Sequence, residues 1–147
     1  MSEHIYKNHN KTLLLYHLVF PAKYRQKVFS RAVEKSLKNI CLELSKCYEI
    51  HFVEIGLEED HVHFLVQSVP SLPVFRIVTI IKSITAREIF LLHKEVKKVL
   101  WGGSLWTSGY YANTVGQYAS AEVIKKYVAN QGREYKKLHS VQLLFDF

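Results

Sequence analysis

The chain has 147 residues, room for one domain with its own core, and 48% of them are hydrophobic, which excludes a disordered protein. A formal net charge of +7 and a pI of about 9.4 point to an anionic partner, most commonly nucleic acid. No apolar run approaches the roughly 18–20 residues that span a bilayer, and the first residues carry no signal-type apolar stretch, so a cytoplasmic protein with no membrane partner is expected.

Residues 12–20 form a continuous apolar run that reads as a buried strand, ended by Pro21. A basic loop follows over residues 23–27. Ser30 is placed to cap a helix in which Val33, Leu37, Ile40, Cys41, Leu44 and Tyr48 recur at helical spacing. Cys41 and Cys47 fall on that helix without a CxxC spacing and read as reduced thiols. Residues 49–57 read as a second strand, Glu58 and Glu59 as a tight turn, and residues 61–69 as a third strand antiparallel to the second. After a Pro70 to Pro73 connector, residues 74–92 show a second helical pattern, with Ile77, Ile80, Ile81, Ile84 and Ile89 largely on one side. Gly102 and Gly103 mark a turn, and residues 105–115 read as a fourth strand rich in aromatics. A short linker over residues 116–119 leads to a last helix capped by Ser120, with Glu122 in its first turn. The order β-α-β-β-α-β-α is the split-βαβ, α+β ferredoxin-like (RRM-like) arrangement with an added C-terminal helix, as a single domain over residues 1–147.

The chemistry is suggested by two placements. In a strand the side-chain period is two, so His61 and His63 share one sheet face while Val62 and Phe64 share the other. Two neutral imidazoles side by side are half of a divalent-metal site. In a helix, residues four apart share a face, so the Tyr127 phenol and the Gln131 amide approach one point. A metal and a tyrosine hydroxyl at one site suggest phosphoryl transfer through a covalent tyrosine. With 8 histidines in the chain, a His-x-His pair arises readily by chance, so the pair needs its context.

That context resembles the single-tyrosine HUH transposases of small insertion sequences (TnpA-type, the IS two-hundred / six-oh-five group), over nearly the whole chain. Tyr16-His17-Leu18-Val19-Phe20-Pro21-Ala22-Lys23-Tyr24-Arg25 is similar to that family's opening strand and Lys-Tyr-Arg signature, with Phe20-Pro21-Ala22 departing from a more polar or aromatic stretch. Asp60-His61-Val62-His63-Phe64-Leu65-Val66 resembles the HUH strand, and Lys82-Ser83-Ile84-Thr85-Ala86-Arg87 the basic second helix. Leu100 to Trp106 and Tyr110 to Gly116 are similar to the fourth strand, and Tyr127-Val128-Ala129-Asn130-Gln131 to the nucleophile helix. The resemblance implies an enzyme that cuts and rejoins single-stranded DNA at element ends recognised as hairpins. It implies Tyr127 as the nucleophile that forms a 5′-phosphotyrosine, His61, His63 and Gln131 as ligands of Mg²⁺ or Mn²⁺, and a homodimer, with the nucleophile helix in trans.

Other residues keep two readings. Lys23, Arg25, Lys27, Lys82 and Arg87 are candidates for DNA phosphates, each with the alternative of a solvated charge. Asp60 reads as a turn residue or as a partner that orients a metal-ligating imidazole. Trp101 and Trp106 read as packing residues or as platforms for bases. Tyr110, Tyr111 and Tyr118 read as packing or linker residues, His17, His51 and His93 as core or surface histidines, and Tyr135 is the rival nucleophile. Two alternative functions stay open: a domesticated repeat-processing HUH nuclease, and a non-catalytic RRM-like module for single-stranded nucleic acid. Against the second, no RNP1-like segment is present.

Overall fold

The computed structural model describes residues 3–101 and 103–116. A four-stranded antiparallel sheet in the order β4-β5-β3-β6 is its frame. The strands are β3 (Leu14–Pro21), β4 (His51–Leu57), β5 (His61–Ser68) and β6 (Tyr111–Val115). The helices α1 (Arg31–Cys47) and α2 (Val74–Leu92) join them in the ferredoxin-like sequence expected from the patterning. The expected C-terminal helix lies outside the described residues.

The local chemistry explains the helices. The Ser30 hydroxyl accepts from the Val33 amide at 3.3 Å and starts α1, with Glu34 in the first turn and Lys46 in the last, each favourable to the helix dipole. Val33, Leu37, Ile40, Cys41 and Leu44 are buried by α1, and Ile77, Val78, Ile81, Thr85 and Ile89 by α2. Both helices pack with Leu18, Phe20, Val62, Phe64 and Val66 in one core. Within it Phe20 lies 5.1 Å from Phe64 and 5.5 Å from Trp106, ring centre to ring centre. The Trp106 Nε1–H donates to Thr85 Oγ1 at 3.0 Å, and Thr85 donates to the Ile81 carbonyl at 2.6 Å.

By alternation, the opposite face of the sheet carries His17 and Val19 of β3 and His61, His63 and Leu65 of β5. In β4 the alternation is broken by a bulge. The pairing shifts between Phe52 and Glu54, leaving Val53 as an extra residue, so Phe52 and Ile55 both reach the helix-side core although three positions apart.

Three features differ from the sequence expectation. A hairpin, β1 (Ile5–Lys7) with β2 (Asn10–Thr12), precedes the sheet. It is too short and polar to show a periodic signal. A short helix, α3 (Lys94–Val99), follows α2. It buries only Val96, so six residues of charged sequence concealed it. The fourth strand is shorter than residues 105–115: Trp106 forms an isolated bridge to Ala22, and regular pairing begins at Tyr111. Backbone bonds from Lys23 to Leu105 and from Thr107 to Pro21 close that bridge, and the Leu105 and Trp106 side chains lie buried in the core.

Candidate active site

The site begins where β5 begins. Pro21 pairs with His61 and Val19 with His63 across the β3–β5 ladder, and Tyr111 and Asn113 of β6 pair with Val19 and His17. The register therefore gathers His17, His61, His63, Tyr111 and Asn113 on the face away from the helices. His61 is fully buried and His63 is 6% exposed, with their rings 5.2 Å apart. Two imidazoles converge there as the strand period requires.

Each imidazole is held. The Asp60 carboxylate meets His61 Nδ1 at 2.8 Å, so a proton on Nδ1 donates to Oδ1 and the tautomer is fixed. Arg25 Nε and Nη2 donate to the other Asp60 oxygen at 3.1 and 2.9 Å. Burial alone would raise the Asp60 carboxyl; hydrogen bonds from His61 and Arg25, together with the Arg25 charge, outweigh it and hold the group below its usual range. His63 is stacked against His17 at 5.8 Å with the rings 17° from parallel, and Tyr111 meets His17 edge-on at 6.1 Å. Burial, then the neighbouring His63, lower the His17 imidazole to about 4, against a hydrogen bond with Asn113 that raises it. His17 is thus a neutral wall for the His63 ring. On the other flank, Gly56 pairs with His63, and a Cβ there would stand 3.4 Å from His63 Cδ2, filling the space beside the ring.

Arg25 reaches Asp60 because of an unusual backbone. Tyr24 and Arg25 have φ of 58° and 54° in the turn after β3, the left-handed region that non-glycine residues seldom adopt. The Ala22 amide donates to the Asp60 carbonyl at 2.9 Å, which pins this turn to the start of β5.

The structure sorts the remaining candidates. Lys82 points inward, its Nζ donating to the Thr107 and Gly109 carbonyls at 2.7 and 2.9 Å, and burial lowers its pKa. Lys27 and Arg87 are exposed and lie near Glu59 and Glu88 at 3.4 and 3.6 Å. Lys23 sits over the Tyr24 ring, 5.4 Å from its centre. His93 bonds Ser36 at 2.7 Å and Glu95 at 3.2 Å, and ties α1 to the α2–α3 junction. His51 lies exposed on β4. Trp106 is buried at 4% exposure, whereas Trp101 is 95% exposed. Tyr127 and Gln131, with Tyr118 and Tyr135, lie outside the described residues. Among the described residues no group of three or more His, Cys, Asp or Glu is placed to hold a metal ion. Sequence reading missed the parts played by His17, Asn113 and Gly56. A continuous apolar run over residues 12–20 does not show the register that brings His17 and Val19 to Leu65 and His63.

The comparisons with known proteins agree with this geometry. Residues 10–131 match the family model described as "Transposase IS200 like", and the chain belongs to that family. It is 32% identical over 118 residues to the ISDra2 transposase TnpA of Deinococcus radiodurans, covering 80% of this chain and 84% of that protein. It is 25% identical over 128 residues to the transposase for insertion sequence element IS200 of Salmonella typhimurium, covering 87% and 83%. A crystal structure of a transposase from D. radiodurans R1 superposes with a TM-score of 0.70 at 29% identity, over 86% of this chain and 97% of the other. A REP-associated tyrosine transposase bound to a REP hairpin shares the fold, with a TM-score of 0.51 at 11% identity over 87% and 68%.

Proposed function

We propose that this transposase cleaves and rejoins single-stranded DNA at hairpin ends of an insertion element, with Tyr127 as nucleophile and His61, His63 and Gln131 as holders of Mg²⁺ or Mn²⁺. The observation that supports it most is the buried histidine pair with Asp60 on His61 Nδ1. With Nδ1 given to Asp60, Nε2 is the nitrogen of His61 that a cation would take, and the His63 ring lies 5.2 Å away, centre to centre. Neutral imidazoles suit Mn²⁺ well, and Mg²⁺ with an amide oxygen and phosphate oxygens completing its shell.

The residues then divide the work. A phenol is almost entirely protonated at neutral pH and attacks poorly unaided. A bound divalent cation supplies charge neutralisation on the scissile phosphate and the leaving oxygen. Tyr127 Oη forms a bond to phosphorus as the bond to the 3′-oxygen breaks; the phenolic proton is lost and the 3′-oxygen leaves as a hydroxyl. The phosphodiester is conserved as phosphotyrosine, so attack by a 3′-hydroxyl rejoins DNA without a nucleotide cofactor. Arg25, through Asp60, positions His61.

Hairpin recognition is carried over from the REP-associated relative, whose structure holds a REP hairpin. The family resemblance extends the proposal to a homodimer with the helix of Tyr127 and Gln131 serving the other subunit's histidines. A domesticated repeat-processing nuclease would share the chemistry and differ in its DNA. A non-catalytic sheet binder is disfavoured, because the sheet face where such modules display aromatics carries three buried imidazoles.

The test is incubation of labelled single-stranded element ends with the protein and Mn²⁺. A denaturation-resistant adduct is expected on Tyr127 and absent from Tyr127→Phe, which still binds hairpins. An adduct that persists in this variant would move the nucleophile to Tyr135 or elsewhere. Mixing Tyr127→Phe with His63→Ala subunits restores cleavage if the helix docks in trans, and stays inactive if it docks in cis.

A further inference from the structure

Two aromatic side chains stand in solvent beside the histidine end of the sheet, and both are held there against intrinsic preference. Trp101 is 95% exposed, whereas tryptophan is normally well buried. It follows the last residue of the α3 cap, where helices commonly use glycine, and adopts φ 57°. A Trp101 N–H bond to the Lys98 carbonyl at 3.1 Å braces that turn. Tyr24 is 74% exposed, also at positive φ, with the Lys23 ammonium over its ring. A side chain with a Cβ is disfavoured in the left-handed region, and neither exposed ring offsets that by packing.

The two rings line one cleft of about 440 Å³, together with Lys23, Gln26 and Leu100. Its surroundings are basic: α3, which leads into Trp101, exposes Lys94, Lys97 and Lys98. The cleft is also anchored to the histidines. The Lys23 amide donates to the Leu105 carbonyl at 2.8 Å, Ala22 bonds Asp60, and Arg25 holds the carboxylate that orients His61. A strand whose phosphate lay at His61 and His63 would have its neighbouring nucleotides close to this cleft.

We propose that the Tyr24–Trp101 cleft takes an unpaired base of single-stranded DNA, stacked on these rings, with Lys23 on an adjoining phosphate. The inference rests on the reading that this chain handles single-stranded DNA. Aromatic faces accept any base, and a flexible ammonium suits a phosphate whose position varies. The basic α3 supplies long-range attraction, and the rings discriminate an unpaired base from one stacked in a duplex.

The test compares an oligothymidylate with an abasic oligomer of equal length. Trp101→Asn and Tyr24→Asn remove each ring while keeping a residue that tolerates the left-handed backbone. Each variant should lose about 5- to 100-fold in affinity for oligothymidylate and keep its affinity for the abasic oligomer. Trp101→Phe should retain most of the binding. In the native protein, acrylamide should quench Trp101 and not buried Trp106, and oligothymidylate should protect it. Unchanged oligothymidylate binding by Trp101→Asn, or equal losses on both oligomers, would overturn the proposal. The two readings fail separately. An adduct on Tyr127 together with wild-type binding by Trp101→Asn refutes the cleft and leaves the cleavage chemistry standing. A base-dependent loss in a protein that forms no adduct refutes the chemistry and keeps the cleft.

Discussion

The two faces of β5 are equally hidden from solvent and differ in everything else. Every residue from His61 to Ser68 is buried. Val62, Phe64 and Val66 do what buried residues ordinarily do, and interlock with α1 and α2. His61 and His63 place polar rings in equally dry surroundings, which is costly unless each ring is partnered. Asp60 meets one, and the His17 ring is stacked on the other. Burial therefore does not separate core from site; the type of partner does. One face is held by shape, the other by a chain of hydrogen bonds and stacked rings.

The contrast has consequences that can be measured. The largest separates adjacent residues. Phe64→Ala should cost about 3–5 kcal/mol in denaturant unfolding, while residual folded protein keeps the proposed cleavage activity. His63→Ala should lose cleavage by at least about a hundredfold, as expected for a metal ligand, and unfold close to the wild-type midpoint. If both variants lose stability alike, the division between the faces is wrong. Next, Asp60→Asn should weaken Mn²⁺ binding about 10- to 100-fold, read by titrating cleavage activity, with little change in Tm. Unaltered titration would make Asp60 a turn residue only.

A smaller effect separates two basic residues of α2. Lys82→Met removes two hydrogen bonds to carbonyls and should cost about 1–2 kcal/mol of stability, leaving the salt dependence of DNA binding as it was. Arg87→Ala should leave stability alone and, if that side chain meets a phosphate, reduce the single-strand salt slope by roughly 0.7. The opposite pattern would make Lys82 a phosphate contact and Arg87 a solvated charge. The smallest effect is a labelling pattern. Cys41 lies in the helix-side core with its thiol pushed up to about 12 by burial, whereas Cys47 is exposed. A thiol reagent at neutral pH should modify Cys47 in the native protein and reach Cys41 only on unfolding. Rapid labelling of Cys41 would mean that the helix side opens readily.

The patterning of the sequence made the helix-side core legible, because α1, α2 and the strands express periods of 3.6 and two in apolar side chains. The His61–His63 pair was legible for the same reason, as a departure of residue type within a strand period. What could not be read were contacts that depend on register: His17 stacked on His63, Gly56 beside it, and Arg25 turned back to Asp60. None of these residues is close in sequence to the ring it supports, and the Tyr24–Arg25 turn adopts a backbone that no local preference announces. Lys82 was ambiguous for a similar reason. A lysine on a helix reads as a surface charge until the loop carbonyls that receive it are located.

The N-terminal hairpin has a different kind of consequence. Gln67 Nε2 donates to the Glu3 carbonyl at 2.6 Å, and Lys7 pairs with Glu49, so the hairpin is fastened at the Gln67 end of β5. Six residues of extended chain put that attachment roughly 20 Å from His61. A fluorophore, an affinity handle or a fused domain attached before Glu3 would thus join the fold at the end of the strand remote from His61 and His63. The same separation gives the hairpin freedom to diverge in sequence, or to acquire a partner of its own, without disturbing the chemistry at the other end.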